Sequence, residues 1–214
     1  MKNITEIYND YKIMPNLALH QMRVAAVAMQ ICDSLNMEVD KDDVISVCLF
    51  HDMGNIIKFD LSYFPNLNTE KGIEYWEEVK KYYINKYGEN EHIASSTIAK
   101  ELGLSDYVCV LIDKMISSSI KDIYEGDDLI RKICIYSDNR VAPYGVVSTE
   151  EHSLDAKERY KNHTHAFCEE SRRSFMKYLY LIEKQIFSNS KIKPEDISNE
   201  SIKDYLEKLK EFFI

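Results

Sequence analysis

His20, the adjacent pair His51 and Asp52, and the single Asp138 have the residue types and the order needed to surround one divalent metal ion. Two imidazoles and two carboxylates form a mixed nitrogen and oxygen donor set. Such a set suits manganese, iron, cobalt, nickel or zinc, admits magnesium, and fits calcium or copper(I) poorly. His51 and Asp52 close the most hydrophobic run of the chain, "VISVCLF", where a lone carboxylate is costly to bury unless it is paired or bound to a cation. Asp138 stands in "LIRKICIYSDNRV", and Ile130, Cys134 and Ile135 set its direction close to a buried face. Its other available partner is Arg131 or Arg140, in a structural salt bridge. His20 shares a face with Leu17, Val24 and Val27. A single histidine in that position is more often a core residue than a ligand; the set of four changes the balance.

Arg23 follows His20 by three residues, so the two share a helix face and the guanidinium can lie beside the open side of an ion. It would offer a phosphate two parallel hydrogen bonds, against the plainer reading of a surface arginine. Arg140 is two residues past Asp138 and points roughly the other way, which makes it structural. Lys58 follows the His-Asp pair in a loop and can reach a substrate phosphate, although a solvated lysine is the simpler account. His152, His163 and His165 fall on polar helices and are expected to face solvent.

These residues need helices to position them, and helical periodicity runs through nearly the whole chain. A short helix near 4–12 stops before Pro15. A second, about 16–35, repeats apolar residues at three- and four-residue steps: Leu17, Val24, Val27, Ala28 and Ile31. Asp40 is an N-cap for a third helix, "KDDVISVCLFHDMG", with Gly54 where it would end. Residues 56–68 read as a loop around Pro65. Further helices follow over 69–88, over 90–103, and from a Ser105 cap through 119. Another near 127–141 carries Asp138 and ends before Pro143. Ser148 and Glu151 form a capping box that opens the next, and 164–187 and 196–213 supply two more. The expected fold is an all-α bundle with no strand.

The order His, His-Asp, Asp in the contexts "HQMRVAAVAMQIC", "CLFHDMGN" and "IYSDNRV" resembles the HD superfamily of metal-dependent phosphohydrolases. That resemblance covers about the first two-thirds of the chain. It implies a single HD-type helical domain over 1–214, with a metal-site core at about 15–145 and additional C-terminal helices at about 146–214. It also implies one divalent transition metal held by His20, His51, Asp52 and Asp138, with hydrolysis of a phosphate ester of a nucleotide or related small molecule. Asp52, beside the ion, can also take a proton from an attacking water. His92, at the start of "NEHIASSTIAKELG", resembles the place where many HD proteins carry a further histidine. The pair that usually follows in two-metal branches is missing from "DKMISSSI", so His92 reads as a substrate-binding residue, with a surface histidine as the alternative. The rival function is a degenerate HD module that binds metal or nucleotide as a sensor or scaffold without turnover.

Composition narrows the partners. With 27 basic and 36 acidic residues the net charge is −9, which disfavours non-specific nucleic-acid binding by phosphate neutralisation. An anionic substrate must therefore be drawn by a local positive site. The five cysteines are scattered without a Cys-x-x-Cys pair and read as buried free thiols of a reducing compartment. The polar N-terminus and the lack of a long apolar run point to a cytoplasmic protein that does not enter a membrane. A homo-oligomer is compatible with the sequence.

Overall fold

Pro15 occupies the first position of the helix that carries His20, where its missing N–H is no loss and its fixed φ suits the first turn. The structure is a computed structural model that describes residues 1–63, 70–162 and 168–214. Among these residues the helices are α1 (Ile4–Asp10), α2 (Pro15–Ser34), α3 (Lys41–Phe50), α4 (Gly72–Tyr87), α5 (Glu91–Glu101), α6 (Asp106–Asp113) and α7 (Ile120–Glu125). They continue as α8 (Leu129–Asp138), α9 (Thr149–Tyr160), α10 (Glu169–Phe187) and α11 (Lys203–Lys210). The fold is an all-α bundle with one small hairpin, β1 (Val141–Ala142) and β2 (Gly145–Val146).

Helix α2 is the central rod and packs against α3, α8 and α11. Its apolar stripe, Leu17, Val24, Val27, Ala28 and Ile31, is buried as the spacing requires; Ala25 and Ala26 are buried too, because the helix is covered on more than one side. Helix α3 is buried continuously over 44–50, which is the condition of a helix enclosed all round. The Asp40 side chain accepts from the Asp43 N–H, and Asp42 and Asp43 place negative charge at the positive end of the helix.

The helix over 41–54 needs correction: α3 stops at Phe50, and the chain turns through His51, Asp52 and Met53 into a 3-10 turn at Asn55–Ile57. Gly54 has φ −90° and is no left-handed cap. Its missing side chain serves proximity instead. A Cβ there would stand 2.4 Å from the Glu91 carbonyl oxygen and 2.7 Å from the Ala94 Cβ, so the His-Asp turn can lie directly on α5.

Other boundaries also shift. The helix from Ser105 ends at Asp113, and a serine 3-10 turn over Ser117–Ser119 leads into the separate α7; consecutive serines are weak in helix interiors because their hydroxyls compete for the backbone. Helix α8 ends at Asp138, and the following residues form the hairpin, with Val141 opposite Val146. Pro143 and Tyr144 make its turn, Gly145 opens β2 with φ +149°, and Asn199 packs where a Gly145 side chain would be. The C-terminal helices begin later than expected, with a 3-10 turn at Pro194–Asp196 between them. Pro65, His163 and His165 lie outside the described residues. Four cysteines are buried free thiols, but Cys168 is exposed at the cap of α10. Among the described residues no helix is long and apolar enough to cross a membrane.

Candidate metal centre

Each predicted ligand reaches the site from a different local cause. His20 lies one turn into α2, on the edge of its buried stripe. His51 is the cap residue of α3, and its ring is 4% exposed. Asp52 follows in the turn, where its backbone N–H donates to Gln21 Oε1 at 3.3 Å. Asp138 is the last residue of α8. The packing of α2 on both α3 and α8 brings the four together.

His20 Nε2 lies 3.1 Å from Asp138 Oδ1 and 4.0 Å from Asp52 Oδ2. His51 Nε2 lies 3.5 Å from Asp138 Oδ1 and 3.6 Å from Asp52 Oδ1. Ligand atoms of His20, His51 and Asp52 all fall within 4.8 Å of one another, and Asp138 joins through its two histidine neighbours. Donors about 2.1 Å from one ion stand roughly 3–4 Å apart, so these separations are those of groups sharing a cation. Most are too long for the groups to satisfy each other by hydrogen bonds.

The local structure also leaves His51 able to act as a ligand. Its Nδ1 lies 2.9 Å from the Cys48 carbonyl oxygen, so Nδ1 carries a proton and Nε2 is the nitrogen whose lone pair a cation would meet once the ring is neutral. Among the described residues that Nε2 is buried without a hydrogen-bond partner. A buried polar atom left unpaired is costly, and an ion between the four residues removes the cost.

Electrostatics tell the same story. Burial lowers the basicity of His51, but the Asp52 and Asp138 carboxylates more than reverse this and raise its pKa to about 10. Burial alone would raise the Asp138 carboxyl; the hydrogen bond from His20 and the charge of the neighbouring His51 hold it well below the usual carboxylate range. In the metal-free protein the extra proton on His51 thus stands where a cation would.

Arg23 is half-buried on α2 and donates from Nη1 to the Pro143 carbonyl at 3.3 Å, across to the hairpin that follows Asp138. Burial lowers its basicity, and among the described residues no carboxylate pairs with it. Arg140 is 4% exposed and turned away. It donates to the Tyr136 hydroxyl at 2.7 Å, to the Pro194 carbonyl at 3.1 Å, to the Ile197 carbonyl at 3.0 Å and to the Val147 carbonyl. Lys58 is exposed and lies 3.7 Å from Glu91 Oε1, which is also 3.7 Å from His92 Nε2. His92 is half-buried, and Asp52 is one of the charges acting on it. Neither salt bridge weighed for Asp138 forms, since Arg131 donates instead to the Lys114 carbonyl.

Two residues escaped the sequence reading. Gln21 is fully buried beside His20 and ties the His-Asp turn to α2; its isolated position in an apolar helix was the available signal. His152, expected to face solvent, is half-buried on α9, with Asp138 and His20 among the charges acting on its ring. The correction has a physical cause: α9 packs against β1, and strands of two residues leave no periodicity to read.

The docking of α5 completes the frame. The Gly54 N–H donates to Ser95 Oγ, and Ser95 Oγ donates to the Glu91 carbonyl, both at 2.9 Å.

Residues 11–101 match the family model described as HD domain. No curated protein and no solved structure matches the chain.

Proposed function

We propose that this chain, which carries an HD domain over residues 11–101, is a metal-dependent phosphohydrolase that cleaves the phosphate ester of a nucleotide or related small phosphoester. The observation that supports this best is the convergence of His20, His51, Asp52 and Asp138, with His51 Nε2 buried and unpartnered. One manganese, iron, cobalt, nickel, zinc or magnesium ion held there would polarise a phosphoryl group and bring a bound water towards a pKa of about 7.

The chain's own residues supply the rest. Asp52, whose side chain is 18% exposed, would accept a proton from the attacking water as well as ligate. Among the described residues Arg23 is a half-buried cation that no carboxylate pairs with, and a phosphate oxygen would supply that partner. Lys58 and His92 share Glu91, Asp52 is among the charges acting on His92, and the two would form a second set of substrate-binding groups. A net charge of −9 leaves these local cations to draw in an anion.

The test is a screen of the chain, loaded in turn with Mn, Fe, Co, Ni, Zn and Mg, against nucleoside phosphates and generic phosphomonoesters. Turnover that disappears in Asp52→Ala supports the proposal. Stoichiometric metal with no turnover of any ester would identify a binding module instead.

A further inference from the structure

The mouth of the metal site lies where the His20, Asp52 and Asp138 side chains remain 21%, 18% and 30% exposed; His51 closes its floor. Helix α9 lies near this mouth, with Asp138 and His20 among the charges acting on its His152. Its N-terminal end is fixed by the Ser148–Glu151 capping box and by packing on β1, three residues after Asp138. Towards its C-terminal end, the Tyr63 hydroxyl donates to the Arg159 carbonyl at 3.1 Å, and Tyr63 belongs to the segment that follows His51 and Asp52. The helix is thus tied to the chain on both sides of the site.

Its half-buried face includes His152, Asp155 and Arg159, at three- and four-residue steps. Asp155 and Arg159 pair with each other at 2.5 Å. His152 is the one nearest the start of the helix, within electrostatic reach of both Asp138 and His20. Among the described residues its ring makes no hydrogen bond. A half-buried imidazole with idle nitrogens at the edge of a cation site is suited to an anionic ligand.

We propose that His152 is a substrate-contacting residue of this site, donating an imidazole N–H to an oxygen of a phosphoryl group that Arg23 holds from the α2 side. The inference rests on the phosphohydrolase reading for its substrate, but not for its test. Burial lowers the basicity of His152, against the pull of Asp138, so at neutral pH the ring is uncharged and keeps one N–H to donate. It would complement Arg23: one group comes from α2, the other from α9, a helix beyond the matched segment 11–101.

The experiment measures binding of inorganic phosphate to the Mn-loaded full chain by calorimetry, for wild type, His152→Ala and His152→Gln. Metal content and melting temperature are recorded beside it. The expected result is unchanged manganese in both variants, phosphate affinity lowered about 10-fold or more in the alanine variant, and partial recovery with glutamine, which restores a donor. Equal phosphate affinity in wild type and His152→Ala overturns the proposal. So does loss of manganese or of folding in both variants, which would assign His152 to packing, and so does a wild type that binds no phosphate. Phosphate binding that depends on His152 in a protein that hydrolyses no ester leaves this inference standing and removes the hydrolase.

Discussion

His51 Nδ1 lies 2.9 Å from the carbonyl oxygen of Cys48, one turn back in the same chain segment. Because a backbone carbonyl only accepts, this contact keeps a proton on Nδ1, so Nε2 is the nitrogen aimed at Asp52 and Asp138 and the one that gives up its proton to a metal. Protein prepared without chelator is expected to hold about one transition-metal ion per chain. His51→Ala and Asp52→Ala should each remove most of it. Elemental analysis that finds no metal in wild type, or full metal in both variants, would refute the site.

Metal uptake should release protons. His51 is raised from 6.5 to about 10 in the metal-free protein, so at neutral pH it must lose a proton to become a ligand. The binding enthalpy should therefore change with the ionisation enthalpy of the buffer. The same shift gives the metal-free protein a stability contribution that is full below pH 6.5 and is lost as pH rises through about 10. The lowered Asp138 carboxyl works at the other end: its contribution is present above the ordinary carboxylate range and is lost as pH falls through its depressed value. A buffer-independent enthalpy, or metal-free stability that does not fall between pH 6.5 and about 10, would contradict this.

Gly54→Ala should destabilise by about 1–3 kcal/mol, since the new methyl meets the Glu91 carbonyl, the Ala94 Cβ and the Ser95 nitrogen at 2.4, 2.7 and 3.0 Å. Two of these are backbone atoms and cannot rotate aside. The displaced partner is α5, so metal affinity should fall along with the urea midpoint. A variant as stable as wild type would mean that α5 does not press on the turn.

The two arginines should behave in opposite ways. Arg140→Ala strands the carbonyls of Val147, Pro194 and Ile197, and should lower stability by at least about 3 kcal/mol. Arg23→Ala breaks one long contact to Pro143 and should keep stability and metal content near wild type. It should lower turnover of a phosphomonoester about 10- to 150-fold. Denaturation curves and steady-state rates on the same preparations separate the two. Unchanged turnover in Arg23→Ala would remove it from the substrate.

The sequence showed the helices and the four converging residues because each of these carries a local signal. Charged or imidazole groups interrupt apolar periodicity at His20, His51, Asp52 and Asp138, and caps such as Asp40 and Ser148 mark where helices begin. What it hid depended on tertiary packing. The early end of α3 comes from the docking of α5 against Gly54, which no local pattern announces. The division between α6 and α7 rests on a serine turn that still looks helical in composition. His152 sits on a helix polar enough to pass for a solvated one, and only its position against a hairpin of two-residue strands turns it inward.

His20 and Asp138 stand 118 positions apart in the chain. An ion that grips both is a reversible cross-link closing a very long loop, and the freedom such a tie takes from the unfolded chain grows with the loop it closes. The family match ends at residue 101, yet Asp138 comes from the end of α8 beyond it. A chelator should accordingly loosen the molecule as a whole: amide exchange would quicken in α2 and α8 together, rather than in the turn around His51 alone.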